Sequence, residues 1–300
     1  MQKPNLSSYS SLLLLAAIWG SAFFNYKIIL RSFDALTLSG ARLVFASIFF
    51  LFIAIFFIPS FKGRNFFSKD WYIFLIIGLV NYALPFSLIA FGIDNMSSGL
   101  AALLQSAAPF YAILFSHIFT HDDKFNKFKF IGTCFGFTGV LILIYDQIHL
   151  TKTTHIISVL LVMGASVFYM IGGLIIGKVK KYNNETVTCF SLIWAAIILL
   201  PLTIYFYDNS SSKAFHIESL YSLIYLGVVS TAIAFYLRSK IILRNGIVFM
   251  SQVTFLIPVF GVFFSYFFLQ EKLYLSMFLS LGLLMIGLII LQKGYKKNVT

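Results

Sequence analysis

SSGLAALLQSAAPFYAILFSHIFTHDDKFNKFKFIGTCFGFTG, from Ser97 to Gly139, reads as an apolar helix broken by Pro109, a short charged turn and a second apolar helix. The plan returns from Gly246 to Gly287 as GIVFMSQVTFLIPVFGVFFSYFFLQEKLYLSMFLSLGLLMIG. Pro258 answers Pro109, Glu271 answers Asp123, Ser280 answers Gly132 and Gly287 answers Gly139, with a single-residue gap between the proline and the acid. An earlier segment recurs as well: FLIIGLVNYALPF around Gly78 is matched by SLIYLGVVSTAIAF around Gly227. Two halves of like pattern predict an internal duplication. Its units are residues 1–150 and 151–300.

Working outward, 60% of the 300 residues are hydrophobic and 11% are charged. A soluble domain needs a wetted polar exterior that this composition cannot supply. Runs such as Leu43–Ile58, Trp71–Gly92 and Phe215–Leu237 approach or exceed the ~20 residues that cross a bilayer core. The expected fold is therefore an all-α membrane protein with ten transmembrane helices, near 9–30, 35–58, 71–93, 97–119, 128–145, 155–177, 186–207, 217–237, 246–269 and 273–292. The apolar run after Lys3 continues to Leu30, too far for a cleaved signal peptide.

The net charge of +12 lies between the apolar spans, so it reads as a topology signal and not as a nucleic-acid surface. Sixteen basic residues fall on one side of the expected spans, including Lys3, Lys62, Arg64, Lys69, Lys124, Lys178, Lys181, Arg238 and Lys293. Five fall on the other, namely Lys27, Arg31, Lys152, Lys213 and Lys272. The positive-inside rule then places both termini in the cytoplasm. Repeats of five spans, an odd number, enter the membrane from opposite sides. This makes them two inverted five-helix repeats, the arrangement that supports alternating access.

Polar side chains inside spans are costly in hydrocarbon and usually face an interior. Trp19, Tyr26, Asn81, Tyr82, Gln105, Tyr169 and Gln252 are the candidate substrate-binding residues, with Asn25 and Tyr111 also inside spans. Trp19, Phe23 and Tyr26 share a helical stripe that suits an aromatic wall. Asn81 and Gln105 offer amide donors and acceptors. The competing reading is that each amide bonds a neighbouring helix and each aromatic ring simply packs. Pro109 and Pro258, at matching positions of the repeats, are candidate hinges, against mere tolerance of a kink. Gly132, Gly136 and Gly139, like Gly173 and Gly177, recur at a spacing that suits close helix packing.

Lys27, Arg42 and Glu271 are the candidate gating or structural charges, and Arg42 lies well inside the second span. Asp34 is eight residues away on the same helix, an awkward partner, so Arg42 is expected to bond backbone or helix ends near Lys27, to stabilise one access state and not to determine specificity. Asp122, Asp123 and Glu271 precede helices they can cap. His117 could carry a proton or simply sit at the interface. No buried carboxylate relay is visible among the spans. Cys134 and Cys189 lie inside spans without a zinc or redox motif, and there is no phosphate-binding loop. No metal and no cofactor is expected.

Trp19-Gly20-Ser21 closed by Lys27, with Arg42, Gly78, Ala101-Ala102 and Pro109, and the closing Glu271-Lys272-Leu273 with Gly287, resemble the drug/metabolite transporter superfamily, in its EamA-type ten-helix branch. Gln270 and Ser280 stand where glycine is usual, and His121-Asp122-Asp123 stands where a Gly-Glu pair is typical. The resemblance covers essentially the whole chain. It implies a secondary transporter, exporter or permease, for a small organic metabolite such as an amino acid, in the bacterial cytoplasmic (inner) membrane. The family carries amino acids, nucleotides, sugars and drugs, so the resemblance does not choose among them. The alternative is an intramembrane enzyme or flippase acting on lipid-linked intermediates, but the paired acids or metal clusters such an enzyme needs are not apparent. The expected partners are a small-molecule substrate and the lipid bilayer, without nucleic acid. Proton coupling, and assembly as monomer or homodimer, stay open at this point.

Overall fold

The computed structural model describes residues 5–59, 61, 63, 66, 69–110, 126–145, 156–179, 181–209 and 213–296, and every regular element among them is helical. α1 (Leu6–Ile29) begins at a capping box in which Asn5 accepts from the Ser8 amide. α2 (Ala35–Phe57) begins at Asp34, whose carboxylate accepts from the amides of Leu36 and Thr37. α3 (Trp71–Gly78) passes through a π-helical turn (Leu79–Ala83) into α4 (Leu84–Asp94). α5 spans Ser98–Ser106, α6 Lys127–Tyr145, α7 Ile156–Lys178 and α8 Asn184–Asn209. α9 (Ile217–Gly227) passes through a second π-helical stretch (Val228–Ile233) into α10 (Ala234–Asn245). α11 (Ile247–Met250), α12 (Val253–Leu269) and α13 (Leu275–Lys296) follow.

Among the described residues, eight helical stretches are long and apolar enough to cross a membrane. α12 is apolar but shorter, at 17 residues. The continuation of α5, with Tyr111, His117, Asp122 and Asp123, lies outside the described residues, as does the expected boundary between the two units near residue 150. Two stretches differ from the expected spans. The one expected to end at 237 continues to Asn245, so Arg238, Lys240 and Arg244 lie on the helix and not in a loop. The one expected over 246–269 is broken by a turn at Ser251 and Gln252.

Helix directions follow from which residues meet. α6 and α13 run antiparallel: a Cβ on Gly132 would stand 2.7 Å from the Gly287 carbonyl oxygen, while Gly139 faces Ser280. α4 and α7 are antiparallel, with Gly92 against Ser158 and Val162, and Asn81 against Gly172. α1 and α12 run parallel, with Gly20 against Ile257 and Phe260, and Phe24 paired with Phe264 and Phe268. Large apolar side chains such as Ile48, Phe52, Leu160, Phe263 and Phe267 point outward, as a lipid-facing surface requires. Gly173 and Gly177 do not share in the close packing: no atom lies within 4 Å of a Cβ placed on either. Gly172 is the tight position on that helix.

Polar ties join helices at both ends of the bundle. At the end where α3 and α8 begin, Asp70 accepts from Lys181 Nζ at 2.5 Å and from the Tyr182 hydroxyl at 2.7 Å. These bonds hold the Asp70 carboxyl below the ordinary carboxylate range and push Lys181 above its own. At the other end, the Ser32 hydroxyl donates to Ser219 at 3.0 Å and accepts from the His216 amide at 2.9 Å.

Candidate functional site

The centre of the molecule is organised around Arg42, whose side chain is 4% exposed. Its Nε donates to Thr231 Oγ1 at 2.9 Å, in the second π-helical stretch, and its Nη1 donates to the Tyr26 hydroxyl. The guanidinium carbon lies 3.7 Å from the centre of the Phe86 ring and 5.3 Å from that of Tyr26. An arginine at the centre of a span costs about 3 kcal/mol to insert. Two hydroxyls and two aromatic faces offset part of that through hydrogen bonds and cation–π attraction. The expectation that Arg42 bonds backbone or helix ends near Lys27 is therefore corrected. The reason is that Tyr26 and Thr231 reach the guanidinium from α1 and the π-helical stretch before any carbonyl does.

A chain of rings runs through this centre. Trp19 meets Phe235 at 6.0 Å, Phe235 meets Tyr82 at 5.3 Å, Tyr82 meets Phe86 at 6.1 Å and Phe86 meets Tyr169 at 6.5 Å between centroids. Four of the expected binding residues, Trp19, Tyr26, Tyr82 and Tyr169, thus fall in one connected group. Asn81 adjoins it, as the residue before Tyr82 in the first π-helical turn, with its side chain against Gly172. Three members were missed from sequence: Phe86, Phe235 and Thr231. The signal was present, because Phe86 aligns with Phe235 and Tyr82 with Thr231 in the two matched segments around Gly78 and Gly227.

Two expected binding residues stand apart from this group. Gln105 donates to the Val162 carbonyl at 2.8 Å and accepts from the Ser166 hydroxyl at 3.0 Å, so both ends of its amide join α5 to α7. Gln252 sits at the turn between α11 and α12. Asn25 donates back to the Ser21 carbonyl of its own helix at 2.8 Å. Pro109 lies just past the end of α5 at Ser106, and α12 continues as helix through Pro258.

Lys27 and Glu271 meet at the end of the bundle where α1, α4 and α12 finish. Lys27 Nζ donates to the Asp94 carbonyl at 3.0 Å. Glu271 accepts from the amides of Ser98 and Gly99 at 2.9 and 3.3 Å, from the Ser98 hydroxyl at 3.2 Å, and from the Ser265 hydroxyl. Its carboxylate thus caps α5, far away in sequence, instead of the helix that follows it. A negative charge at a helix N-terminus satisfies bare amides and complements the dipole. Lys27, Arg31, Asp94 and Glu271 also line a cleft of about 340 Å³ with Leu30 and Leu269. No group of three or more metal-ligating side chains occurs among the described residues.

The profile of the EamA-like transporter family matches residues 6–145 and 156–292. The chain belongs to the EamA-like transporter family. Two curated relatives align along nearly its whole length. A probable amino-acid metabolite efflux pump of Escherichia coli is 26% identical, over 93% of this chain and 92% of that one. A transporter of Archaeoglobus fulgidus is 24% identical, over 94% and 97%. A crystal structure superposes with a TM-score of 0.68 over 96% of each chain at 13% identity, which shows a common fold. The EamA-like family and these relatives are transporters, so the intramembrane-enzyme alternative falls.

Proposed function

We propose that the chain is a secondary transporter that moves a small organic metabolite, an amino acid or related compound, by alternating access of two inverted five-helix halves. The carrying observation is a pair of matching close approaches. A Cβ on Gly78 would stand 2.5 Å from the Ser191 carbonyl oxygen and 3.1 Å from the Ala195 nitrogen. One on Gly227 would stand 2.9 Å from the Arg42 carbonyl oxygen and 3.3 Å from the Ala46 nitrogen. All three correspondences share a 149-residue offset, and so do the two end ties, Asp70 with Lys181 and Ser219 with Ser32. The antiparallel α6 and α13 support an inverted relation, and the alignment of the full E. coli efflux pump supports the substrate class.

In this reading the aromatic chain and Arg42 form the substrate region, in a ten-span protein of the bacterial inner membrane with both termini cytoplasmic. Glu271 and Lys27 hold the outer end shut. Opening requires α5 to part from α12, with Pro109, Pro258 and the two π-helical stretches taking up the bend. Uptake and efflux in proteoliposomes, screened over amino acids and related metabolites with and without a pH gradient, tests this. Saturable flux of at least one such compound is expected, and the gradient arm reads proton coupling. Passage of none would reject the reading.

A further inference from the structure

Arg42 differs from Lys27 and Glu271, with which it was grouped. A guanidinium has five N–H donors. The protein takes two of them, through Thr231 and Tyr26, and covers one face with Phe86. The ion pair among the described side chains, Lys181 with Asp70, lies at one end of the bundle, and Arg42 has no carboxylate among its partners. Arg42 thus stands without a carboxylate partner, and Nη2 with one N–H of Nη1 is left unused on its planar fork.

Helix packing does not call for this charge. Ser191 stands at the position matching Arg42 in the paired glycine contact, and there a small side chain serves the same approach. The ring chain beside Arg42 would receive an apolar or aromatic body. No acidic side chain is at hand among the partners of Arg42, Tyr26 and Tyr82 for a cationic one.

We propose that Arg42 receives the carboxylate of the substrate, and that the substrate class is a carboxylate with an apolar or aromatic body whose amine is not read. The free edge of the Arg42 guanidinium has the fork geometry for two parallel hydrogen bonds with a carboxylate. This inference rests on the transporter reading and narrows it. Arg42 then acts on substrate choice, and not only on the balance of access states.

Binding of three probes to the purified full-length chain tests it: phenylalanine, N-acetylphenylalanine, which keeps the carboxylate but carries no cation, and phenylalaninamide, which keeps the amine but has no carboxylate. Phenylalanine and N-acetylphenylalanine should bind within about 3-fold of one another, and phenylalaninamide at least about 10-fold more weakly. Arg42→Gln should reduce that discrimination below about 3-fold, with Arg42→Lys between the two. The wild-type series decides the matter even if Arg42→Gln fails to fold. Equal binding of the amide, binding of none of the three, or undiminished discrimination in a folded Arg42→Gln would overturn the inference. Counterflow in proteoliposomes separates the two readings. A probe that is bound by its carboxylate but never carried would sink the transporter reading alone, and transport indifferent to the carboxylate would sink this one alone.

Discussion

Gly132 and Gly287 face each other across α6 and α13, each with the other's carbonyl oxygen 2.7 Å from the place its Cβ would take. Neither helix can yield without losing the contact at Gly139 and Ser280, where the Ser280 hydroxyl donates to the Gly139 carbonyl at 2.7 Å. In an apolar medium such small-residue seams supply much of the association between helices.

Gly287→Val should therefore destabilise the protein by about 1–3 kcal/mol, the usual cost of overpacking a tight contact. Gly173→Ala, on a helix face with open space, should leave the melting temperature unchanged. Thermal unfolding in detergent measures both.

Gln105→Ala should lower stability more than substrate affinity, because it leaves the Ser166 hydroxyl without its acceptor. The expected loss is about 1–3 kcal/mol. Trp19→Ala and Asn81→Ala should do the reverse, weakening binding while abundance holds. Equal behaviour of all three would remove the distinction drawn between a helix tie and a binding group.

The tie between Asp70 and Lys181 carries a pH prediction with a definite sign. The pKa of Asp70 is depressed below 3.8, so its contribution is present above that value and is lost as acid takes the pH through the folded value. The pKa of Lys181 is raised above 10.5, so its contribution is present below that value and is lost at higher pH. The difference in melting temperature between wild type and Asp70→Asn should stay flat from about pH 5 to about pH 9, shrinking only outside that window. Lys181 is 69% exposed, so the difference should be small and weaker in salt.

Single cysteines at Asn5 and Asn126 should react only from the cytoplasmic side, and one at Ala214 only from outside, in a background lacking Cys134 and Cys189. Labelling of Asn5 and Ala214 from the same side would contradict the proposed topology.

The all-helical, many-span character was legible because hydrophobic length is a bulk signal, carried by dozens of residues. The π-helical stretches after Gly78 and Gly227 were not, since a one-residue change of helical register leaves composition untouched. The candidate group was half legible. Tyr26, Tyr82, Tyr169 and Trp19 stood out as polar or bulky residues within spans, and the structure joins them. Phe86 and Phe235 were hidden among 36 phenylalanines, where a ring that packs and a ring that lines a site look alike. Gln105 stands apart from that group for a related reason: an amide that joins two helices reads in sequence like one that awaits a ligand. Glu271 was recognised as a capping group, but the helix it caps is distant in sequence and only the fold brings it near.

The central claim is that the seam between α5 and α12 must open during transport. A Cβ placed on Gly99 would stand 3.5 Å from that of Ser265, within the spacing of about 3.5–4.5 Å that a disulfide accepts. With Cys134 and Cys189 replaced, Gly99→Cys with Ser265→Cys can therefore be cross-linked across the seam. Flux through proteoliposomes should stop when this pair is oxidised and return on reduction, while either single variant is indifferent to oxidant. Full flux through the cross-linked protein would contradict the account.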